Sequence, residues 1–285
     1  MSKKLSTLFI ILTFQFPSIS GLCQLPTSDF SHIEIVIDST DFKKLISNRF
    51  IRDSLGICAY DTMQTSPIVI SYYINGQENF IHFNPNKGYF ATQRGSAYLI
   101  FQTRLPGQGK LLEQSWKSFT EDSLISYDFK SPDFILTEII FKIHKNLHKS
   151  NTNHLIPMLS SYSVETYKKW GLGDSAEVSM KEFIGQDSAH NKMLFNKILS
   201  IHLSITKNEL TKLGSMMRVV GYEMKRNKFI KAGQPEIFFS INNNLNESKI
   251  KELVLLLNKY KDTKSLHFGN VSIFIKNKKA KFLFN

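Results

Sequence analysis

The sequence predicts an α+β protein built from repeated βαβββ units, and three observations support this fold class. The segments SHIEIVI at residues 31–37 and SIHLSI at residues 200–205 are similar short alternating strands, each with one histidine on its more polar face. Each strand leads into an amphipathic helix, which begins with DFKKL in one case and ELTKL in the other. Asn75-Gly76, between two further strand-like runs, is a strong β-hairpin signal.

The first unit reads as βαβββ through residue 86. Ile33, Ile35 and Ile37 alternate with polar residues and predict a half-buried strand. The cluster Asp38-Ser-Thr-Asp41 is rich in helix N-cap residues, and apolar residues then recur at helical spacing. Three strands are predicted after this helix, at residues 57–62, 68–74 and 78–83.

The second unit is less regular. It begins with a predicted strand at residues 97–103, which Pro106 and Gly107 end, and a helix is predicted over residues 111–119. Strands follow at 123–129 and 134–143, so residues 30–143 are expected to hold modules 1 and 2. Residues 144–197 begin with a polar stretch and then carry several aromatic side chains. We interpret them as a bridging segment with short helices.

The third unit restarts the pattern in residues 198–285 and is expected to pack on the same domain. A strand at 199–205 precedes a helix that ends at Gly221, a good C-cap residue. The remaining strands are predicted at 236–241, 250–257, 271–275 and 280–284. The continuous apolar run from Leu253 to Leu257 fits a buried strand or a helix equally well.

The N-terminus predicts an exported protein. Residues 1–20 combine a basic start, an apolar run from Leu8 to Phe16 and small residues before Gly21, which is the layout of a signal peptide. This run is much shorter than the ~20 residues that a membrane span needs. Cys23 leaves lipid anchoring open as an alternative, but Leu22 before it is larger than lipoprotein processing prefers. We therefore expect a periplasmic or extracellular protein without a transmembrane span.

Composition limits the partners that the protein can have. Cys23 and Cys58 are the only cysteines, so at most one disulfide can form, and 23 phenylalanines can supply an ordinary core. The formal net charge is +12, and loss of Lys3 and Lys4 with the signal peptide leaves +10. An exported destination argues against a nucleic-acid partner, whereas an anionic envelope surface would fit the positive charge.

Several of these segments together resemble the glyoxalase, or vicinal oxygen chelate, superfamily, and more narrowly bacterial glyoxalase-like exported proteins. The resemblance rests on the first strand with its helix, on NFIHF at 79–83, and on FGNVSI at 268–273 with AKFLF at 280–284. It implies paired βαβββ modules that form curved mixed sheets around a cup, here with an extra half-module. Which modules pair to form the cup stays open.

The resemblance also implies metal ligands on the first and fourth strands of paired modules. Carried over by position, these fall on His32 and His82, and the restarted first strand offers His202. A three-histidine set favours zinc, copper or iron over magnesium. Glu34 shares the face of His32 and is a candidate ligand or general base, although a solvated cleft also explains a carboxylate there.

The sequence contains two other groups of potential binding residues. His144 and His148 are one helical turn apart and, with His154, form a second conceivable metal cluster, but no acid or thiol lies near them in sequence. The sequence around Gly107-Gln-Gly-Lys110 lacks the first glycine and the Ser/Thr of a phosphate-binding loop and is interpreted as a turn.

The sequence thus predicts an exported protein that binds a small molecule in a cup. One divalent metal ion would assist lyase, isomerase or dioxygenase chemistry there, with Glu34 as base. The alternative is a non-enzymatic envelope protein that binds an acidic partner through its basic surface. The sequence does not settle the substrate, the reaction or the oligomeric state.

Overall fold

The computed structural model describes residues 25–63, 69–86, 93–142, 153–185, 189–242 and 247–285. The strands are β1 Ser28–Ile37, β2 Ile57–Met63, β3 Val69–Asn75, β4 Phe80–Pro85, β5 Ala97–Thr103, β6 Leu124–Lys130, β7 Ile135–Phe141, β8 Leu155–Tyr162, β9 Phe195–Ile205, β10 Glu223–Lys225, β11 Lys228–Ile230, β12 Glu236–Ile241, β13 Lys249–Phe268 and β14 Val271–Phe284. The helices are α1 Ser39–Ser47, α2 Gly109–Lys117, α3 Val164–Lys169, α4 Met180–Ile184 and α5 Lys207–Val219, with a π-helical turn at Ile51–Leu55 and a 3-10 turn at His190–Lys192.

The strands form two mixed sheets, which confirms the α+β class. The eight-stranded sheet has the order β2-β3-β4-β1-β5-β8-β7-β6, and the six-stranded sheet has the order β10-β11-β12-β9-β13-β14. In the first unit β1 pairs in parallel with β4, which places the first and fourth strands of the βαβββ unit side by side. Antiparallel pairing of β1 with β5 joins this unit to the second in one continuous sheet.

Strand β8 corrects the prediction for the bridging segment. Residues 155–162 form a central strand that pairs in parallel with β5, as β4 does with β1, and so complete the second βαβββ unit. The sequence concealed this strand because Pro157 lies in its middle, and proline is uncommon in central strands because it cannot donate a ladder hydrogen bond. The short helices α3 and α4, within the same segment, agree with the prediction.

The third unit contains different strands from those predicted. Its second and third strands are β10 and β11, each three residues long, and β12 is its fourth strand because it pairs in parallel with β9. Strands β13 and β14, predicted as members of this unit, form an additional hairpin beside β9. Strand β13 resolves the ambiguity over Leu253–Leu257 in favour of a strand.

The core lies between the two sheets, and the helices fill it. One apolar cluster joins Ile33, Ile35 and Ile37 of β1 to Ile201 and Leu203 of β9. Helix α5 contacts β8, and α1 contacts β13, so each helix packs against the opposite sheet as well as its own. The outward faces of the two sheets therefore do not belong to this core. Within the described ranges, no helix is both long and apolar enough to cross a membrane.

Burial and electrostatics on the outer face both indicate that the eight-stranded sheet is curved, because Ile100, Ile140, Ile156 and Met158 lie on this face and are nevertheless buried. Tyr127 on β6 and Glu34 on β1 are four strand positions apart, a distance of about 19 Å in a flat sheet. Yet the charge of Glu34 contributes to a raised pKa of Tyr127. Charges of Glu34 and Glu138 likewise help burial to raise the pKa of Tyr73 on β3. The outer face of this sheet is therefore the inside of a cup.

Candidate metal centre

Three potential metal ligands meet on the floor of the cup. Alternation along β1 directs His32 and Glu34 to the outer face, while the isoleucines between them enter the core. His82 lies beside Glu34 because the two residues are register partners in the parallel pair β1–β4. One donor atom from each residue lies within 4.8 Å of the other two. Two imidazoles and one carboxylate therefore converge on one point.

Glu34 is the centre of this group. Its Oε1 lies 3.1 Å from His82 Nδ1 and 3.5 Å from His32 Nε2. Its Oε2 accepts a hydrogen bond of 3.3 Å from the side-chain amide of Asn84, which is fully buried. Burial alone would raise the pKa of Glu34, but the charge of His82 and the contacts of both imidazoles hold it well below its usual range. The carboxylate is therefore ionised and fixed in orientation.

His32 is positioned by a β-bulge. The pairing of β1 with β5 shifts between Phe30 and His32, so that Ser31 is the extra residue. The Ser31 hydroxyl lies 2.9 Å from His32 Nδ1, and the imidazole stacks on the ring of Phe80 at a centroid distance of 4.1 Å. Burial lowers the pKa of His32, although Glu34 acts in the opposite direction. The ring is thus held with Nε2 towards Glu34.

His82 is the most buried of the three residues, with a side chain only 3% exposed. Its ring stacks on Tyr73 at a centroid distance of 4.0 Å. Its Nδ1 lies 3.1 Å from the Glu34 carboxylate, whereas its Nε2 has no hydrogen-bond partner among the described residues. Buried imidazole nitrogens are normally satisfied. Nε2 therefore lacks the partner that a buried imidazole normally has, and Nδ1 is the donor atom that faces Glu34.

His202, predicted as the third histidine ligand, is not part of this group. It lies on β9 in the six-stranded sheet, where it stacks on Phe238 at 4.5 Å and approaches Glu252 at 3.6 Å. The acid expected as a base, Glu34, stands instead between the two remaining histidines. The structure thus brings together two of the three predicted histidines, and the third residue beside them is Glu34.

The two repeats also align differently from the prediction. The strands end at Ile37 and Ile205, whose carbonyls accept equivalent hydrogen bonds from the backbone N–H groups of Asn86 and Asn242. This offset of 168 residues places His202 at the position of Glu34 rather than of His32. An error of two residues keeps a side chain on the same face of a strand, so alternation could not reveal it.

The other predicted histidine cluster and the terminal features receive little support from the described residues. His144, His148, Cys23 and the signal peptide at 1–20 lie outside these residues. His154 lies 3.0 Å from the carboxylate of Glu209, in a contact that joins the two sheets. Cys58 is a free, half-buried thiol, and burial raises its pKa.

The far wall of the cup carries residues that sequence reasoning missed. Glu138 on β7 is the register partner of Tyr127 on β6 and of Ser160 on β8. Burial and the charge of Glu34 raise the pKa of Glu138 to about 7, although a hydrogen bond from Tyr127 acts in the opposite direction. The residues His32, Glu34 and His82 are called the triad below. Between this wall and the triad lies a separate apolar cluster, formed by Tyr98, Ile100, Ile125, Ile140, Ile156 and Met158.

Asn84 and Glu138 had weak sequence signals. Asn84 is two residues after His82 and therefore on the same face, a position from which it could have been proposed. Glu138 interrupts the apolar strand ILTEIIF, and an isolated acid in such a run marks either an exposed face or a site. Its place on the same sheet face as Glu34 follows only from the long-range pairing of the strands.

Comparisons with known proteins give a family and little more. The sequence model of DUF5829, described as a family of unknown function, matches residues 30–284. A search of curated proteins found no match. A crystal structure from Bacillus subtilis, described as a "putative dioxygenase", aligns over 87% of this chain and 82% of that chain, with 10% identity and a TM-score of 0.28. This similarity is too low to support a conclusion about fold or site.

Proposed function

The chain belongs to the DUF5829 family, and from its site we propose that it binds one divalent metal ion through His32, Glu34 and His82. The observation that carries this proposal is the convergence of one donor atom from each of the three residues, all within 4.8 Å of one another, around the buried side chain of His82. A buried polar cluster that is only partly satisfied is costly, and a shared cation would satisfy it.

The donor geometry fits a metal ion. Bonds of about 2.1 Å to nitrogen and oxygen place neighbouring ligand atoms about 3.0–3.4 Å apart in octahedral or tetrahedral sites. The contacts of Glu34 with the two imidazoles, 3.1 Å and 3.5 Å, match this spacing. The lowered pKa values of His32 and Glu34 favour the neutral imidazole and the ionised carboxylate that a metal requires.

The surroundings of the donors also have the form of an outer ligand shell. The Ser31 hydroxyl is placed to fix His32 with Nε2 free, and the Asn84 amide holds the carboxylate of Glu34. Metal ligands are commonly oriented by such hydrogen bonds. Two histidines and one carboxylate leave open coordination positions and suit iron or zinc.

Small-molecule binding in the cup follows from these open positions. The side chains of His32 and Glu34 are 15% and 16% exposed, so the floor of the cup remains accessible. A bound divalent ion would polarise ligand oxygens or lower the pKa of a bound water. Lyase, isomerase and dioxygenase chemistry all use such activation, and the proposal extends to this group of reactions without choosing among them.

Metal analysis tests the proposal. Protein purified without chelator should contain about one divalent ion per chain, and chelated protein should bind Zn²⁺ or Fe²⁺ at one site in calorimetry. His32→Ala and His82→Ala should abolish this binding. His202→Ala is the matched control, because His202 also stacks on an aromatic ring but lies outside the triad. Absence of metal, or equal loss in the control, would refute the site.

A second candidate function rests on a different observation. Strands β13 and β14 extend as a ribbon whose exposed side chains include many lysines: Lys259, Lys261, Lys264, Lys276, Lys278, Lys279 and Lys281. Such a cluster attracts anionic surfaces. For an exported protein, as the N-terminus predicts, the partner would be an anionic envelope surface.

Salt-dependent binding tests this second function. Association with vesicles containing anionic lipid should weaken strongly between low and high salt. Replacement of Lys261, Lys276 and Lys279 by glutamate should abolish it. The same change at Lys110, Lys130 and Lys181, which are also exposed but lie outside the ribbon, should reduce it less. Equal effects of the two triple variants would show that net charge alone is responsible.

A further inference from the structure

Glu138 stands apart from the metal ligands but faces the same space. Register along β7 sends Ile139 into the core and Glu138 to the inside of the cup, next to Ile140 of the apolar cluster. Its position is three strands from Glu34 in the sheet, and the buried side chains Ile100 and Ile156 of the two intervening strands lie on the same face. Glu138 is therefore on the wall opposite the triad.

No described cation neutralises this carboxyl. The charged and titratable groups that influence it are Tyr127 from β6 and Glu34 from β1, and it in turn influences Tyr162 from β8 and Tyr73 from β3. Burial and the Glu34 carboxylate favour a protonated Glu138, and the hydrogen bond from Tyr127 opposes them. A half-buried carboxylic acid in a cup can donate a hydrogen bond that a carboxylate cannot.

The side chains between Glu138 and the triad determine what kind of ligand can bind there. Ile100 is the register partner of His32, and Tyr98 is the partner of Glu34. Both belong to the apolar cluster that also includes Ile140 and Met158. A molecule resting on these side chains would place an apolar body between the metal centre at one end and the Glu138 carboxyl at the other.

We propose that Glu138 is the proton donor of the cup, and that the ligand is a small molecule with an apolar body, one polar end on the metal and an acceptor oxygen at Glu138. In the transfer step the O–H bond of the Glu138 carboxyl breaks as an O–H bond forms on an anionic ligand oxygen, and a water molecule then returns a proton to the carboxylate and leaves as hydroxide. This role rests on the proposed metal site, since the metal holds the other end of the ligand.

Carbon NMR of the full chain labelled with carboxyl-¹³C glutamate tests the inference without the ligand. The Glu138 resonance is identified by its loss in Glu138→Gln, and its titration midpoint is measured with and without Zn²⁺. The midpoint should fall by about one to two pH units on zinc binding, as expected for a doubly charged ion three strand spacings, or about 14 Å, away at an effective dielectric constant of about 20–40. His82→Ala should abolish this shift, and the resonance of Glu252, beside His202, should not move.

A second arm requires no metal. Glu34→Gln removes the charge that opposes ionisation of Glu138, so the Glu138 midpoint should fall in the metal-free variant. An unchanged midpoint in this variant, or in zinc-bound wild type, would show that Glu138 does not face the triad and would overturn the inference alone. Failure of zinc to bind, with the Glu34→Gln shift present, would overturn the metal site and with it the donor role.

Discussion

Replacement of Asn84 by leucine separates the function of the metal centre from the stability of the fold. The Asn84 amide donates to Glu34 at 3.3 Å, while its carbonyl oxygen is buried without a hydrogen-bond partner among the described residues. Leucine has a similar volume and removes both polar atoms. The variant therefore loses one favourable contact and one unfavourable one.

The expected changes in stability and metal affinity follow from the general energies of the contacts that Asn84 makes. A hydrogen bond to a charged group contributes about 1.5–3 kcal/mol, and an unsatisfied buried polar atom costs about 1–3 kcal/mol. These terms oppose each other, so the free energy of unfolding should change by no more than about 1 kcal/mol. Loss of an outer-shell partner lowers metal affinity by about 10–100-fold, which corresponds to roughly 1.4–2.7 kcal/mol.

Two assays measure these quantities separately. Urea denaturation in the presence of chelator gives the free energy of unfolding, and competition with a zinc-binding dye gives metal affinity. Ser240→Ala, at the corresponding position of the third unit, is the control and should change neither. Unchanged zinc affinity in Asn84→Leu would refute the positioning of Glu34 by Asn84. A large loss of stability would show that the Asn84 carbonyl has a partner after all.

Three further predictions concern acid stability, sheet packing and a turn. Because the pKa of Glu34 is lower in the folded state, its contribution to stability is complete above about pH 4.5 and declines at lower pH; Glu34→Gln should therefore show a shallower loss of stability in acid urea titrations. Ser215→Ala leaves the buried indole N–H of Trp116 without its 2.9 Å acceptor and should lower the free energy of unfolding by about 1–3 kcal/mol in urea. Gly269→Ala combines a positive φ of 65° with a collision against the Asp41 carboxylate and should cost more than about 2 kcal/mol in thermal unfolding.

Each of these predictions has a control. In acid, a pH dependence of stability in Glu34→Gln equal to that of wild type would show that Glu34 is not coupled to folding. Ser265→Ala, at an exposed site, should leave stability unchanged, whereas Ser215→Ala should not. Gly173 has a φ of 84° and open space around it, so Gly173→Ala should show the conformational cost of about 1–2 kcal/mol alone. Equal effects at the two glycines would exclude the contact with Asp41.

Strand alternation made much of the fold predictable. Ile33, Ile35 and Ile37 identified β1 and its buried face, and the helix that follows was recognised from its cap residues and apolar spacing. Strand β8 was missed because Pro157 breaks the usual rule for central strands. Its pairing with β5 depends on residues distant in sequence, and no local pattern contains that information.

The candidate site was predictable only where strand parity, the alternation of side chains between the two faces of a strand, determines the face on which a residue lies. Parity placed His32 and Glu34 together, and the fourth-strand position suggested His82. Parity could not decide between positions two residues apart, so His202 was aligned with the wrong residue. The position of Glu138 on the same face could not be predicted, because it depends on the pairing of strands distant in sequence within the eight-stranded sheet.

The lysines of β14 have a second consequence, which concerns association between copies of the chain. Strand β14 is an edge of the six-stranded sheet, and its outer backbone groups have no neighbouring strand in that sheet. Long flat edges invite another chain to pair with them, and lysines prevent this because the ammonium groups of two copies would be brought together without water. Lys276, Lys278, Lys279 and Lys281 lie along this edge. Variants that neutralise them to study envelope binding should therefore become more prone to aggregate through edge-to-edge strand pairing.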